Sequence, residues 1–203
     1  MNPQRISVKY FIENPAAVDL EEYIPIFQRW IKEQTVEGLL IDVADYKHVQ
    51  AGPGIILIGQ QTDYALDVGG GRPGLLYRRK RKLGGGLVDQ LRTVFRLALQ
   101  ACLAVQAEPV LQGRVTFRTD RAELTFADRL SAPNEAQTLE IFRGDIETLT
   151  SDLYAGLDVA LKRQKAESRQ PFTIQINASG APDLDVLLDR LGAALPDAAT
   201  AGV

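Results

Sequence analysis

Hydrophobic and polar positions alternate near the start of the chain and then change to a helical period. Apolar side chains occupy every second position from Ile6 to Ile12, which predicts a strand with one face more buried than the other. Helical spacing follows over about 19–34, and Asp19 can accept hydrogen bonds from free N–H groups at the helix start. Pro25 lies inside this segment and lacks an N–H, so we expect a kink or a later start of the helix there.

Four extended segments and a long helix follow. The turns between the extended segments are short and rich in glycine or polar residues, which favours antiparallel pairing of the strands. A helix is predicted over 87–107, and its dense apolar positions indicate a central place in the core. The extended segments are predicted at 36–43, 54–59, 63–68 and 74–80.

The second half of the chain is predicted to contain two helix-strand-strand units. In the first unit, the helix over 87–107 precedes two strands that turn through 119–121. The second unit begins with a helix at Asn134, and a last helix, opened by Pro182, carries leucines as far as Leu195. The strands of the two units are predicted at 114–118, 122–126, 157–162 and 172–177.

These elements together predict an α+β fold, in which a largely antiparallel sheet packs with about four helices. No shift of composition marks an internal boundary, so a single domain is expected over 1–196. Residues 197–203 are expected to form a flexible C-terminal tail. Leucine-rich and aromatic helix faces fit either internal packing or a homodimer interface, and the sequence leaves that choice open.

Composition narrows the classes of protein. Hydrophobic residues make up 45% of the 203 positions and charged residues 24%, a mixture typical of globular domains. Cys102 and His48 are the only cysteine and histidine, so neither an internal disulfide nor a cysteine-histidine zinc cluster is expected. The sequence shows no signal peptide and no apolar run of about 20 residues, which favours a cytoplasmic protein without membrane insertion. We predict no cofactor and no metal.

Charge is distributed unevenly along the chain. The segment from Arg72 to Lys82 contains six basic side chains and no acidic one, whereas the remaining chain has 17 basic and 26 acidic side chains, a net charge of −9. The acidic remainder would repel a long phosphate backbone, so nucleic acid is not the expected partner. The basic residues are Arg72, Arg78, Arg79, Lys80, Arg81 and Lys82.

Two glycine-rich segments flank this basic run. The first, 69–74, matches the spacing of a dinucleotide-binding loop, but strand-like residues follow it where that motif requires a helix. In the second, Gly84, Gly85 and Gly86 directly precede the helix over 87–107, so free N–H groups beside cations could hold a phosphate or a carboxylate. The alternative is a plain strand-to-helix connection beside a solvated sheet edge.

Two functions of different classes follow from these segments. The first is a non-catalytic module that binds a small anion or an acidic protein surface through region 69–86. Its candidate ligand-binding residues are Arg72, Arg78, Arg79, Arg81, Lys82, Gly84, Gly85 and Gly86. The second is an enzyme with a polar acid-base site built from His48, Asp63, Asp67 and Arg72. A pocket joining those four side chains would favour the enzyme, and a solvated basic edge would favour the module.

Residues 36–80 resemble a family of uncharacterised bacterial proteins of about this length. The resemblance rests on a succession of short motifs: His48, Gly-Pro-Gly at 52–54, Asp63 with Tyr64, and Gly-Arg-Pro-Gly-Leu-Leu-Tyr at 71–77. The family has no activity, cofactor or substrate to carry over to this chain. The resemblance therefore indicates where a site lies and supplies no mechanism.

Overall fold

The computed structural model describes residues 3–49, 52–164 and 170–192. Its eight strands form one sheet in the order β2-β3-β4-β5-β1-β6-β8-β7, and every neighbouring pair is antiparallel. The strands are β1 (Ile6–Ile12), β2 (Leu40–Tyr46), β3 (Gly54–Gly59), β4 (Thr62–Asp67), β5 (Gly74–Arg79), β6 (Phe117–Phe126), β7 (Val159–Arg163) and β8 (Phe172–Ala178). The helices are α1 (Leu20–Glu33), α2 (Leu87–Gln106), α3 (Ala136–Leu153) and α4 (Leu184–Leu191). The predicted α+β class is confirmed.

The four helices cover one face of the sheet. Alternate apolar side chains of the strands join the buried faces of all four helices in a single hydrophobic cluster. Helix α2 contacts the central strands β1 and β5 and also α3 and α4, as expected from its dense apolar sequence. We call the helix-covered side the inner face and the opposite side the outer face.

Helix α1 begins without the delay that proline was expected to cause. Asp19 caps the helix, since its Oδ1 accepts a hydrogen bond of 3.0 Å from the N–H of Glu21, and helical residues start at Leu20. Pro25 lies inside the helix, so the expectation of a late start at this residue is wrong. The buried side chains Phe27 and Trp30 hold the helix against the core and outweigh the lost backbone hydrogen bond.

The hairpin predicted over 114–126 is wrong. Residues of both predicted strands belong to the single strand β6, and both parts pair with β1. Phe11 pairs with Arg118 and Tyr10 pairs with Ala122, so residues 119–121 form a bulge instead of a turn. The first helix-strand-strand unit therefore has one strand, while α3, β7 and β8 form the second unit as predicted.

Other predicted boundaries are close to the observed ones. Strand β3 has the predicted bounds, and β2 begins four residues later than expected, at Leu40. Leu195 and the tail at 197–203 lie outside the described residues. Among the described helices, none combines the length and the apolar character that a membrane crossing requires.

Cys102 lies in the core on α2, where it is completely shielded from solvent. Burial raises the pKa of its thiol well above the usual range, which removes the reactive thiolate. We expect iodoacetamide to leave the folded protein unmodified and to alkylate Cys102 once urea unfolds it, as followed by mass spectrometry. Modification of the native protein at the rate of a free cysteine would contradict this placement.

Candidate functional site

The outer face of the sheet carries mixed polar, charged and apolar side chains. Successive side chains of a strand point to opposite faces of the sheet. The outer-face positions are therefore the residues that alternate with the core residues along each strand. On β1 these positions are Ser7, Lys9 and Phe11, all of which are buried despite lying opposite the helices. The inner-face side chains of β1 are nevertheless the less exposed set, as the alternating pattern predicted, although the difference between the two faces is small.

A buried ion pair lies near the centre of the outer face. Lys9 Nζ donates a hydrogen bond of 2.6 Å to Asp67 Oδ2, and their side chains are only 6% and 19% exposed. Strand β5 lies between β1 and β4, and Lys9 crosses it at Gly74, the one position there without a side chain to obstruct the path. The second carboxylate oxygen of Asp67 accepts from the N–H of Gly69 at 3.2 Å, which holds the loop after β4.

Arg72 extends this charged cluster toward β6. Its NH2 donates to Glu123 Oε1 at 2.6 Å, and its guanidinium lies 4.8 Å from the centre of the Phe11 ring. Lys9 Nζ lies 5.4 Å from the same ring, so two cations flank one aromatic side chain. With both carboxylates paired, this cluster fastens loop 68–73 to the sheet.

The basic run divides into paired and unpaired cations. Lys80 Nζ forms an ion pair of 2.8 Å with Asp63 Oδ1, and Arg79 donates to Gln61 Oε1 at 2.8 Å. The side chains of Arg78, Arg81 and Lys82 are exposed and make no ion pair or hydrogen bond with any described residue. We call these three residues the basic end, since they lie where β5 finishes and the connection to α2 begins.

The start of α2 already holds a carboxylate. Asp89 folds back on the first turn, and its Oδ2 accepts a hydrogen bond of 3.1 Å from the N–H of Gly86. Gly85 has a φ of +78°, and a Cβ there would lie 2.8 Å from Asp89 Oδ2. The glycines thus admit the chain's own acid at the position where the sequence predicted a bound anion.

The four residues of the enzymatic alternative do not meet. His48 lies exposed in the turn after β2, and Asp63 and Asp67 stand at opposite ends of β4. Within the described part of the chain, no hydrogen bond or ion pair joins any two of these four side chains. Asp67 pairs with Lys9, Arg72 with Glu123 and Asp63 with Lys80. The described part of the chain also has no group of three or more histidine, cysteine, aspartate or glutamate side chains arranged to hold a metal.

Sequence reasoning missed Lys9, Phe11 and Glu123, which surround the Arg72 loop. Lys9 offered one signal, since a cation within a largely apolar strand must find a partner when both faces are buried. Its partner Asp67 lies 58 residues away in sequence, and only the strand order brings them together.

Comparison of the chain with protein-family models, with curated proteins and with solved structures finds no match. The site is therefore interpreted from its own geometry and chemistry.

Proposed function

We propose that the chain is a non-catalytic binding module that engages an acidic segment of a protein partner through the basic end. The observation that carries the proposal is the division of the basic run. Arg72 and Lys80 are neutralised by carboxylates of the same chain, whereas Arg78, Arg81 and Lys82 have no such partner among the described residues. Exposed cations without internal partners are available to the carboxylates of another molecule.

An acidic protein segment fits the basic end better than a small anion. Asp89 binds the N–H of Gly86 and places a carboxylate at the start of α2, which disfavours a phosphate there. The three cations are spread along a strand end and a loop, an arrangement that several separated carboxylates can match. The proposal extends to a cytoplasmic location and to the bacterial family that residues 36–80 resemble.

Neutralising the basic end is expected to weaken binding of a glutamate-rich peptide. The variant carries Arg78→Ser, Arg81→Ser and Lys82→Ser, and each lost exposed pair costs about 0.2–1 kcal/mol, so affinity should fall roughly tenfold. Because these side chains have no partner among the described residues, the melting temperature of the free protein should hardly change. Fluorescence anisotropy of a labelled peptide at several salt concentrations measures the effect.

A matched control removes the same net charge elsewhere. Lys32→Ser, Arg121→Ser and Arg143→Ser replace three other cations on the surface, and this variant should keep the affinity of the unaltered protein. Equal losses in both triple variants would reduce the effect to net charge and would refute a defined site. Inorganic phosphate at millimolar concentration should not stabilise the protein on heating, and strong stabilisation would return the small-anion alternative.

A further inference from the structure

Strands β2 and β7 form the two edges of the sheet. In the described part of the chain, the outer side of each has no strand partner. Such edges present free N–H and C=O groups that can pair with another strand. Two large apolar side chains are exposed where this edge begins: Ile41 on β2 is 59% exposed, and Leu39, directly before β2, is 64% exposed. Exposed apolar side chains beside an unpaired edge favour burial against a partner.

The directions of the two edge strands match each other. All seven neighbouring pairs are antiparallel, so in a sheet of eight strands β2 and β7 run in opposite directions. If a second copy is placed beside the first along the sheet, its β2 is antiparallel to β7. The helices of both copies then lie on the same side of the junction.

The two edges carry opposite charge. Between Leu40 and Tyr46, β2 contains Asp42 and Asp45 and no basic residue, whereas β7 contains Lys162 and Arg163 and no acidic residue. Neither Asp42 nor Lys162 forms an ion pair with a described residue, and both side chains are exposed.

We propose that the β2 edge pairs with the β7 edge of a second copy of this chain and continues the antiparallel sheet from one molecule to the next. The register that places Asp42 opposite Lys162 also places Val43 opposite Leu161 and Ala44 opposite Ala160. The faces agree, because Asp42 and Ala44 pair with outer-face positions of β3, and Ala160 and Lys162 pair with outer-face positions of β8.

Pairing of identical edges lacks such complementarity within the strands, and Lys47, directly after β2, is already bound to Asp45 and Glu21. No register of β2 against another β2 within Leu40–Tyr46 brings opposite charges together, since the strand has only acidic charged residues. The same holds for β7 with its two cations. Like charges opposite each other destabilise a strand pair. The contact is therefore between different surfaces of the two copies, and each added copy exposes a fresh edge.

The consequence is an open assembly that grows with concentration. Adjacent strands in a sheet rotate by about 20–25° on average, so eight strands turn successive copies by roughly 160–200°. Such a rotation with translation along the sheet generates a fibre and not a closed dimer. This self-association is independent of the basic end.

Charge reversal at either edge tests the proposal by sedimentation velocity of the full chain over a wide concentration range. The unaltered protein should show a sedimentation coefficient that rises continuously with concentration. Asp42→Lys and Lys162→Glu should each weaken association by roughly five- to tenfold. An equimolar mixture of the two variants should regain association, because each junction then joins opposite charges. Lys82→Glu, a matched charge reversal, should leave sedimentation unchanged and impair only binding of the acidic peptide.

Three results would overturn the proposal. A wild type that stays monomeric at the highest concentration has no such edge contact. Growth that stops at a dimer indicates pairing of identical surfaces. Failure of the mixture to associate, with both variants folded by circular dichroism, excludes the Asp42–Lys162 register.

Discussion

Gly74→Ala should lower the free energy of unfolding by roughly 3 kcal/mol or more, because the added methyl group has no space on either side. A Cβ at Gly74 would lie 2.3 Å from the backbone oxygen of Tyr10 and 2.9 Å from Lys9 Cε. The first contact forces β5 away from β1 near the centre of the sheet. The second displaces Lys9 from Asp67 and leaves a poorly hydrated carboxylate without its cation. Urea unfolding followed by circular dichroism measures the loss.

Gly84→Ala is the matched control for this substitution. A Cβ at Gly84 has no atom within 4 Å, and its φ is not positive, so the variant should be neutral or slightly stabilised. If the two alanine variants unfold at the same urea concentration, then the path of Lys9 across Gly74 is not a structural requirement.

The order of elements could be predicted largely from local pattern. Strand β3, at Gly54–Gly59, is a short apolar run between glycines, and its bounds follow from the sequence alone. The cap of α1 at Asp19 is equally local, since its partner is two residues away. Predictions succeeded where the interactions that determine the structure join residues close together in sequence.

The hairpin prediction failed because the conformation of this segment is determined by residues distant in sequence. Residues Thr119, Asp120 and Arg121 have the polarity of a turn, yet β1 pairs with the chain on both sides of them. The bulge is held from a distance, since the Tyr154 hydroxyl donates a hydrogen bond of 2.9 Å to the carbonyl oxygen of Thr119. The sequence of residues 119–121 gives no indication of this contact with Tyr154.

The candidate site shows the same limit. The sequence identifies the basic run, but partners elsewhere in the sheet determine which cations are free. Arg72 is neutralised by Glu123, 51 residues away, and Lys80 by Asp63 on the neighbouring strand β4. Asp63 and Gly74 are two of the residues on which the family resemblance rests, and each has a structural role. Asp63 forms an ion pair with Lys80, and Gly74 leaves space for the Lys9 side chain to cross β5. A short motif of this kind can therefore reflect a requirement of the fold as well as a reaction site.

Glu108→Ala is expected to destabilise the protein by roughly 1.5–3 kcal/mol, because a buried hydrogen-bond donor then loses its charged acceptor. Glu108 is buried just after α2, and its two carboxylate oxygens bind two side chains of α1. Oε1 accepts a hydrogen bond of 2.5 Å from the fully buried Trp30 Nε1, and Oε2 pairs with Arg29. Without the carboxylate, the indole N–H has no acceptor there and the anchor between α1 and the end of α2 is lost.

Glu33→Ala provides the comparison, because Glu33 also pairs with Arg29, at 3.9 Å, but is 57% exposed. Its loss should change the free energy of unfolding by less than about 0.5 kcal/mol, as for other exposed ion pairs. Glu108→Gln should fall between the two alanine variants, since an amide oxygen can still accept from Trp30 but no longer neutralises Arg29. Urea unfolding followed by tryptophan fluorescence reports this directly, because Trp30 is the only tryptophan in the chain. Equal stability of the Glu108 and Glu33 alanine variants would show that α1 is held by its apolar face alone.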